Sequence, residues 1–404
     1  MSNTEVIPTS FEPGAAAKPG VIPLCVPELG GNEWIYVKEC LDTNWVSSAG
    51  PFVSRFEQSI ASYVGADHAI ATVNGTAALH VALLVAGVEP DDEVILPALT
   101  FIAPANAVRY AGAWPVFIDV EPNYWQLDAE KVLDFLAQEC QWTNGKLVNK
   151  TTQRGVRAIL PVHILGHPCD VDAIYEIARK FDLVVVEDAT ESLGATYKNR
   201  PVGSGGDIAC FSFNGNKIIT TGGGGMIVTD RADWAERARY LTTQAKDDYV
   251  EYVHNDIGYN YRLTNIQAAL GCAQMEQLDE FVSAKRQIAR QYASALSTVA
   301  GITCPQEAPW AASTFWLHTV LVDEQIYGID SRKLLKRLEQ ENIQARPLWQ
   351  PLHRSKAHAG SHSYRIEVTD RIHSKALSLP SSTGLSQRDL DLVVAAVTRT
   401  RSRL

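Results

Sequence analysis

The stretch that decides the fold is Leu183-Val184-Val185-Val186-Glu187-Asp188. Four apolar residues followed by two carboxylates are typical of a buried strand that ends at the edge of a sheet. Successive strand residues point to opposite faces, so only one of Glu187 and Asp188 can face a crevice there. In open α/β sheets, ligands bind at the carboxyl ends of the strands. The stretch therefore predicts a central strand with one carboxylate available for function.

Similar short apolar runs occur on both sides of this stretch and alternate with helical patterns, which predicts an α/β fold with a large, mostly parallel, seven-stranded sheet. The predicted strands are Ala69–Val73, Glu93–Leu96, Pro115–Val120, Arg157–Val162, Leu183–Glu187, Ile208–Phe213 and Gly225–Thr229. The predicted crossover helices are Ala77–Ala86, Ala103–Ala111, Ala129–Gln138 and Asp170–Phe181.

The pattern changes after Asp230 and predicts a second, smaller α/β domain. We expect a large domain over residues 21–260, a small domain over 261–404 and a mobile arm over 1–20, with 21–44 able to pack on the small domain. The later elements are predicted as helices Arg231–Leu241 and Asn265–Ser297, strand Thr314–Val322 and helix Arg332–Glu341, with 355–363 as an exposed loop.

Composition limits the function classes. The chain has 404 residues, of which 46% are apolar and 20% charged, so it can bury a large core. The net charge of −10 argues against a protein that mainly binds nucleic acid or an anionic membrane. No export signal or membrane span is evident, and seven scattered cysteines suit free thiols, so we expect a cytoplasmic protein.

One anion-binding device is present, while the common nucleotide signatures are incomplete. Asn74-Gly75-Thr76-Ala77 follows a predicted strand and opens a helix, whose free N–H groups can bind a phosphate. The glycine runs at 203–206 and 222–225 do not complete Gly-x-Gly-x-x-Gly, and Ile218 stands where a P-loop requires Ser or Thr. No metal site is expected, because Gly166 and Pro168 prevent a helix that would align His163 with His167.

Lys217 lies between apolar strands and has no carboxylate within four residues on either side. Such a lysine is either exposed on a loop or available for Schiff-base chemistry. Combined with Asp188 and the helix start at Gly75, it forms the set that pyridoxal 5′-phosphate requires. Lys217 would bind the cofactor aldehyde, and Asp188 would keep the pyridine nitrogen protonated.

Five ordered motifs carry a family resemblance. They are Thr100-Phe101-Ile102-Ala103, Val186–Gly194, Gly206–Phe213, Lys217 with its glycine run, and Gly258–Ala269. Together they resemble the nucleotide-sugar aminotransferases of the DegT–DnrJ type, over about Pro23 to Leu379. The resemblance implies the fold type I architecture of aspartate aminotransferase, in a homodimer with shared active sites.

The resemblance also implies roles for individual residues. Lys217 would be the Schiff-base and catalytic lysine and Asp188 the pyridinium partner, while Phe101 would stack on the cofactor ring. The phosphate would be held by Gly75, Thr76, Ala77 and Ser212, with Asn260 or Arg262 reaching it from the neighbouring subunit. Glu191 departs from many relatives, which have Gln or His beside the cofactor's phenolic oxygen. A carboxylate there must be protonated or bridged by water.

Two segments, Val162–Pro168 and Leu241–Asp248, resemble the branch that acts on 4-keto-6-deoxy sugars of the legionaminic or bacillosamine routes. This implies transfer of an amino group from glutamate, through pyridoxamine phosphate, to the C4 ketone of a UDP-linked 4-keto-6-deoxy-HexNAc. The candidate substrate residues, each with a structural alternative, are Trp45, Ser47, His163, Trp316, His318, Arg346 and His353.

Three other functions are less consistent with the residues. Related sugar dehydratases have His in place of the lysine, whereas this chain has Lys217. A non-catalytic regulator would be expected to lose Lys217 or Asp188 and to gain a basic DNA-binding segment. A nicotinamide-dependent sugar oxidoreductase would need the glycine fingerprint that this sequence lacks.

Overall fold

The apolar run that ends in Asp188 forms a strand inside a large mixed sheet. A computed structural model describes residues 20–248 and 250–402, so the predicted arm over 1–20 lies almost wholly outside the described residues. The strands are β1 (His68–Thr72), β2 (Glu93–Pro97), β3 (Trp114–Ile118), β4 (Cys140–Thr143), β5 (Lys146–Asn149), β6 (Val156–Ile159), β7 (Val184–Asp188), β8 (Thr196–Tyr197), β9 (Arg200–Pro201), β10 (Ile208–Ser212), β11 (Gly225–Thr229), β12 (Ile302–Thr303), β13 (Ala311–Ala312), β14 (His318–Val322), β15 (His362–Tyr364) and β16 (Ala376–Leu379).

Helices cover this sheet and build the later part of the chain. They are α1 (Glu33–Asp42), α2 (Pro51–Val64), α3 (Gly75–Val85), α4 (Ala103–Tyr110), α5 (Ala129–Gln138), α6 (Val171–Lys180), α7 (Ala232–Thr242), α8 (Asn265–Met275), α9 (Leu278–Leu296), α10 (Glu324–Tyr327), α11 (Ser331–Gln340), α12 (Val368–Lys375) and α13 (Gln387–Ser402). Within the described residues, none of these helices has the length and apolarity needed to cross a bilayer.

The large sheet has the order β1-β11-β10-β7-β6-β2-β3-β15. The strands from β10 to β15 pair in parallel, whereas β11 runs antiparallel to both of its neighbours. All seven predicted strands are present, and the predicted α/β class with a mostly parallel sheet is confirmed. The carboxyl ends of β6, β7 and β10 therefore meet at one edge.

The eighth strand, β15, corrects the prediction of a simple loop over 355–363. It pairs only with β3, at the edge of the sheet, and only Tyr364 of its three residues is buried. Such a short edge strand has no apolar run that would mark it in the sequence. A second correction concerns the hairpin of β4 and β5, which was not predicted although Asn144-Gly145 supplies a common hairpin turn.

Two elements of the later part are shorter than predicted. The helix expected over Asn265–Ser297 is divided into α8 and α9 at Gln277, whose amide donates a hydrogen bond to Glu33 Oε1 at 2.9 Å. The strand expected over Thr314–Val322 begins only at His318. The preceding backbone N–H groups of Thr314 and Trp316 instead donate to the carbonyls of Gly166 and Leu165.

The later part has an apolar core of its own, formed around the three-stranded sheet β12-β14-β16. Ile22 joins this core and pairs with the backbone on both sides of Ile343. By contrast, α8 packs on α2, where a Cβ at Gly271 would lie 2.7 Å from the Phe56 ring. The boundary near residue 260 stays a prediction.

Asp119 links the large sheet to α12. Its buried carboxylate accepts three backbone N–H bonds of 2.8 Å from Glu367, Val368 and Thr369, and it lies 2.7 Å from Lys131 Nζ. Burial alone would raise the pKa of Asp119, but Lys131 and the three N–H donors lower it to about 2. The negative charge therefore stabilises the positive end of a helix.

We predict that Asp119→Asn lowers the free energy of unfolding at pH 7 by about 3 kcal/mol, because the Lys131 charge and a helix terminus lose their buried partner. The carboxylate contributes its stability above its unfolded pKa of about 3.9, so the difference from the wild type shrinks as the pH falls towards 2. Denaturant titrations at several pH values measure this. The exposed pair of Asp172 and Lys198 provides the control, since Asp172→Asn should cost less than about 1 kcal/mol.

Candidate active site

A cavity of about 340 Å³ opens at the carboxyl edge of the large sheet. The predicted site residues that line it are Gly75, Thr76, Phe101, Asp188, Glu191, Ser212, Lys217 and Trp316. A larger cleft of about 660 Å³ lies on the other side of β7 along α6, and it is lined by Glu187 but not by Asp188 or Lys217. The smaller cavity is therefore the one that contains the predicted chemistry.

One side of the cavity is the N-terminus of α3, the predicted phosphate site. Asn74 caps this helix, because its Oδ1 accepts the N–H of Ala77 at 2.8 Å. The first N–H groups of a helix have no partner within the helix, and here they face the cavity with the helix's positive end. The cap also corrects one prediction, because the N–H of Ala77 is bonded to Asn74 and Ala77 does not line the cavity.

Ser212 at the end of β10 completes this cradle. A Cβ at Gly75 would lie 2.8 Å from Ser212 Cβ, so glycine is required for the close approach of α3 to β10. The Ser212 hydroxyl and the helix terminus therefore lie side by side, as a phosphate needs.

Asp188 faces the cavity from the end of β7 and is only 2% exposed. Its Oδ1 accepts the N–H of Thr190 at 3.0 Å. Burial raises the pKa of Asp188, and the positive charge of Lys217 opposes this effect. Glu187 points to the opposite face, where it binds Tyr175 and His163. The prediction that only one of the two carboxylates faces the crevice is therefore confirmed.

Lys217 has a carboxylate partner that is distant in sequence. Its Nζ lies 3.4 Å from Glu191 Oε1 and 4.0 Å from the centre of the Trp316 ring. Burial raises the pKa of Glu191, and Lys217 opposes this effect. The lysine is thus held inside the cavity rather than exposed on a loop.

Two predicted substrate residues are in the protein interior. The Nδ1 atom of His163 accepts the N–H of Cys169 at 3.0 Å, and its Nε2 atom lies 2.9 Å from Glu187 Oε2, so both ring nitrogens are bonded within the protein. His318 stacks on Tyr292 in the apolar core around the sheet β12-β14-β16. Burial there lowers the pKa of His318 to about 3. Neither ring reaches the cavity, which corrects both predictions.

The remaining predicted residues lie outside the cavity of this single chain; they are Trp45, Ser47, Asn260, Arg262, Arg346 and His353. The carbonyls of Trp45 and Ser47 accept hydrogen bonds from Asn265, while His353 lies 3.3 Å from Asp370. Arg262 is exposed beside β1, where its backbone pairs with Thr72. The functional roles of these residues stay predictions.

Trp349 is a cavity residue that the sequence analysis missed. Its ring lies edge-on to Phe101, with the ring centres 6.4 Å apart. Trp349 lies within the Arg346–His353 stretch. An aromatic residue between two prolines and close to an arginine is a sequence feature that could have marked it as a site residue. Phe101 is 51% exposed, so its ring face is available to a flat ligand.

Comparison with known proteins agrees with this geometry. Residues 27–398 match the model of the DegT/DnrJ/EryC1/StrS aminotransferase family. The chain belongs to this family. It is 42% identical to the GDP-perosamine synthase of Caulobacter vibrioides, over 93% of this chain and 97% of that protein. The GDP-perosamine synthase of Escherichia coli O157:H7 is 36% identical, over 93% and 97% of the two chains.

The family assignment extends to the three-dimensional structure. The crystal structure of S. venezuelae DesV, solved in complex with a ketimine intermediate, matches with a TM-score of 0.82 and 31% identity, covering 92% of this chain and 95% of that one. The predicted family, fold type and enzyme class are therefore confirmed: the chain is a pyridoxal phosphate-dependent aminotransferase.

The described residues fit this cofactor. The cavity offers an anion site at the α3 terminus, a lysine amine within the same space and a buried carboxylate opposite them. These three features match the phosphate, the aldehyde and the ring nitrogen of pyridoxal phosphate. None of them requires a metal ion.

We predict that Gly75→Ala weakens pyridoxal phosphate binding at least about tenfold, because the new Cβ overpacks against Ser212 at the predicted phosphate site. An absorbance titration of the apo-protein with the cofactor measures the affinity. Gly215→Ala is the matched control, since a Cβ there meets no atom within 4 Å. Equal affinities in the two variants would contradict the close-approach explanation.

Proposed function

We propose that this aminotransferase moves an amino group from glutamate to the C4 ketone of a nucleotide-linked 4-keto-6-deoxy sugar. The observation that carries the proposal is the presence of Lys217, Asp188 and the α3 phosphate site in one cavity. The names of the relatives support a sugar acceptor, since both similar synthases are named for a GDP-linked sugar.

Within this proposal the cavity residues have separate tasks. The α3 terminus and Ser212 would bind the phosphate, and the Phe101 ring would pack on the ring face of the cofactor. Asp188 would accept a hydrogen bond from the protonated ring nitrogen, whose positive charge would favour the ionised form of the carboxylate. When bound, the cofactor supplies an aldehyde that links to amines and a ring that accepts electrons from the adjacent carbon.

Lys217 has two tasks. Its amine would hold the cofactor through the aldehyde. When not so linked, the amine would carry the proton at the carbon atoms where the amino group leaves the donor and joins the sugar. The same residue would serve both half-reactions, so one lysine is enough for the transfer.

Two nucleotide sugars remain as candidates for the acceptor. The resemblance in sequence motifs favours a UDP-linked 4-keto-6-deoxy-HexNAc, whereas the names of the similar synthases favour a GDP-linked sugar. The charged groups for a diphosphate would come from residues outside the cavity, such as Arg346 and His353. A test of acceptor specificity therefore includes both nucleotides.

We further propose a homodimer that completes each site. Exposed apolar side chains on α1, namely Trp34, Ile35 and Leu41, form a surface suited to a second copy. Arg262 and Asn260 are exposed, which leaves them free to contact a partner's cofactor phosphate. Sedimentation analysis of the holoenzyme tests the dimer.

The decisive experiment follows the absorption spectrum of the holoenzyme. We expect glutamate to remove the band of the lysine-linked cofactor and a 4-keto-6-deoxy nucleotide sugar to restore it. Separate additions of UDP-linked and GDP-linked acceptors identify the nucleotide. No band after incubation with pyridoxal phosphate would overturn the assignment of Lys217, and a band that no keto sugar restores would overturn the acceptor.

We predict that Lys217→Ala lowers turnover by at least about 10³-fold, since both the anchor and the base are lost. Some cofactor should remain bound without a covalent link, because the phosphate site is intact. Lys198→Ala is the control, as Lys198 is exposed and pairs with Asp172. Unchanged turnover in Lys217→Ala would contradict the mechanism.

A further inference from the structure

Lys285 is a buried lysine that the mechanism above does not use. It lies on α9 and is only 2% exposed. Its Nζ donates to the carbonyl of Trp316 at 2.9 Å and to the carbonyl of Ser381 at 2.5 Å, and it lies 3.4 Å from Cys25 Sγ. Lysines are almost never fully buried unless they are paired. Here two of the partners are backbone carbonyls, so the amine holds two separate segments of the backbone in place.

Trp316 is the partner of Lys285 that lines the cavity, and each of its hydrogen-bonding groups is occupied. Its carbonyl accepts from Lys285, its backbone N–H donates to the carbonyl of Leu165 at 3.0 Å, and its indole N–H donates to the carbonyl of Asn216 at 2.6 Å. The centre of the Trp316 ring lies 4.0 Å from Lys217 Nζ. Bonds to three separate segments therefore fix the ring beside that amine.

The backbone next to Trp316 is strained. Phe315 has a φ of +49°, in the left-handed region that a bulky side chain rarely adopts. Leu165, whose carbonyl accepts the N–H of Trp316, has a φ of +59°. Such conformations persist only where the surrounding contacts impose them. Lys285 supplies one of these contacts, so its loss should let the segment relax and carry the ring away from Lys217.

We propose that Lys285 is a positioning residue that holds the Trp316 ring beside Lys217 and thereby sets the rate of amino-group transfer. Lys285 does not line the cavity and acts through the backbone of Trp316. The functional meaning rests on the role proposed above for Lys217, whose amine would carry the proton at the reacting carbons. With the ring fixed on one side, the amine has fewer positions that lead away from those carbons. A displacement of about 1 Å at such a site can slow a reaction by about 100-fold.

A matched control is available on the same helix, because Lys285 also ties α9 to the segment after β16. The hydroxyl of Tyr292, a fully buried residue of α9, donates to the carbonyl of Pro380 at 3.0 Å, next to Ser381. Tyr292→Phe therefore removes a buried bond between the same helix and the same segment but removes no bond to Trp316. A purely structural role of Lys285 predicts similar effects of the two substitutions on activity, whereas positioning predicts different ones.

The test measures how fast glutamate removes the absorption band of the lysine-linked cofactor in a single turnover, at several glutamate concentrations. In Lys285→Met, which keeps an unbranched side chain but has no donor, we expect the maximal rate to fall about tenfold with little change in the half-saturating concentration. Lys285→Gln keeps amide donors and should lose less. Tyr292→Phe should lower the thermal stability and leave the rate unchanged.

A double-mutant cycle tests whether Lys285 acts through Trp316. Trp316→Leu alone should slow the reaction, and adding Lys285→Met should then have little further effect, because the ring that it holds is gone. If Lys285→Met does not fold, Lys285→Gln takes its place in the cycle.

Two results would overturn the positioning role. One is an unchanged rate in a Lys285 variant that circular dichroism shows to be folded. The other is a double variant in which the two losses multiply as independent effects. A wild type whose band does not respond to glutamate would instead refute the proposed role of Lys217, so the two failures are distinguishable.

Discussion

The carboxyl end of β7 is held by backbone hydrogen bonds on both sides, and the site depends on this constraint. The N–H of Asp188 donates to the carbonyl of Pro161, and the N–H of His163 donates to the carbonyl of Asp188. On the other side, the N–H of Ala189 donates to the carbonyl of Cys210. The direction of the Asp188 carboxylate is therefore set by the sheet, and Ser212 follows two residues after the pairing partner of Asp188.

The elements that could be predicted from the sequence are those formed by continuous runs of apolar residues. Buried parallel strands must be apolar on both faces, so all seven central strands were found, and the strand end identified Asp188. The edge strand β15 is mostly polar, and Gln277 at the break between α8 and α9 bonds to the distant Glu33, so the sequence predicted neither feature. A histidine at a strand end carries no mark of its direction, which is why His163 was misplaced.

Short motifs in the sequence were enough to recognise the family, whereas they did not identify the sugar acceptor. The residues proposed to bind the cofactor follow strand ends and a helix start, so their spacing is fixed by the fold. The pairing of Lys217 with Glu191 joins positions 26 residues apart and needs coordinates to be seen. Residues able to bind a nucleotide, such as Arg346, lie on surfaces whose geometry the sheet does not dictate.

The antiparallel pairing of β1 has a consequence for the order of folding. β1 lies at the edge of the sheet and β11 is its neighbouring strand, so the backbone of His68 can pair only after Thr229 has been synthesised. The helix that begins at Gly75 continues directly from β1. During synthesis, which adds about 5–20 residues per second, the early segment has no strand partner for several seconds or longer. The N-terminus of α3 can therefore take its final place beside the sheet only after β11 has emerged from the ribosome.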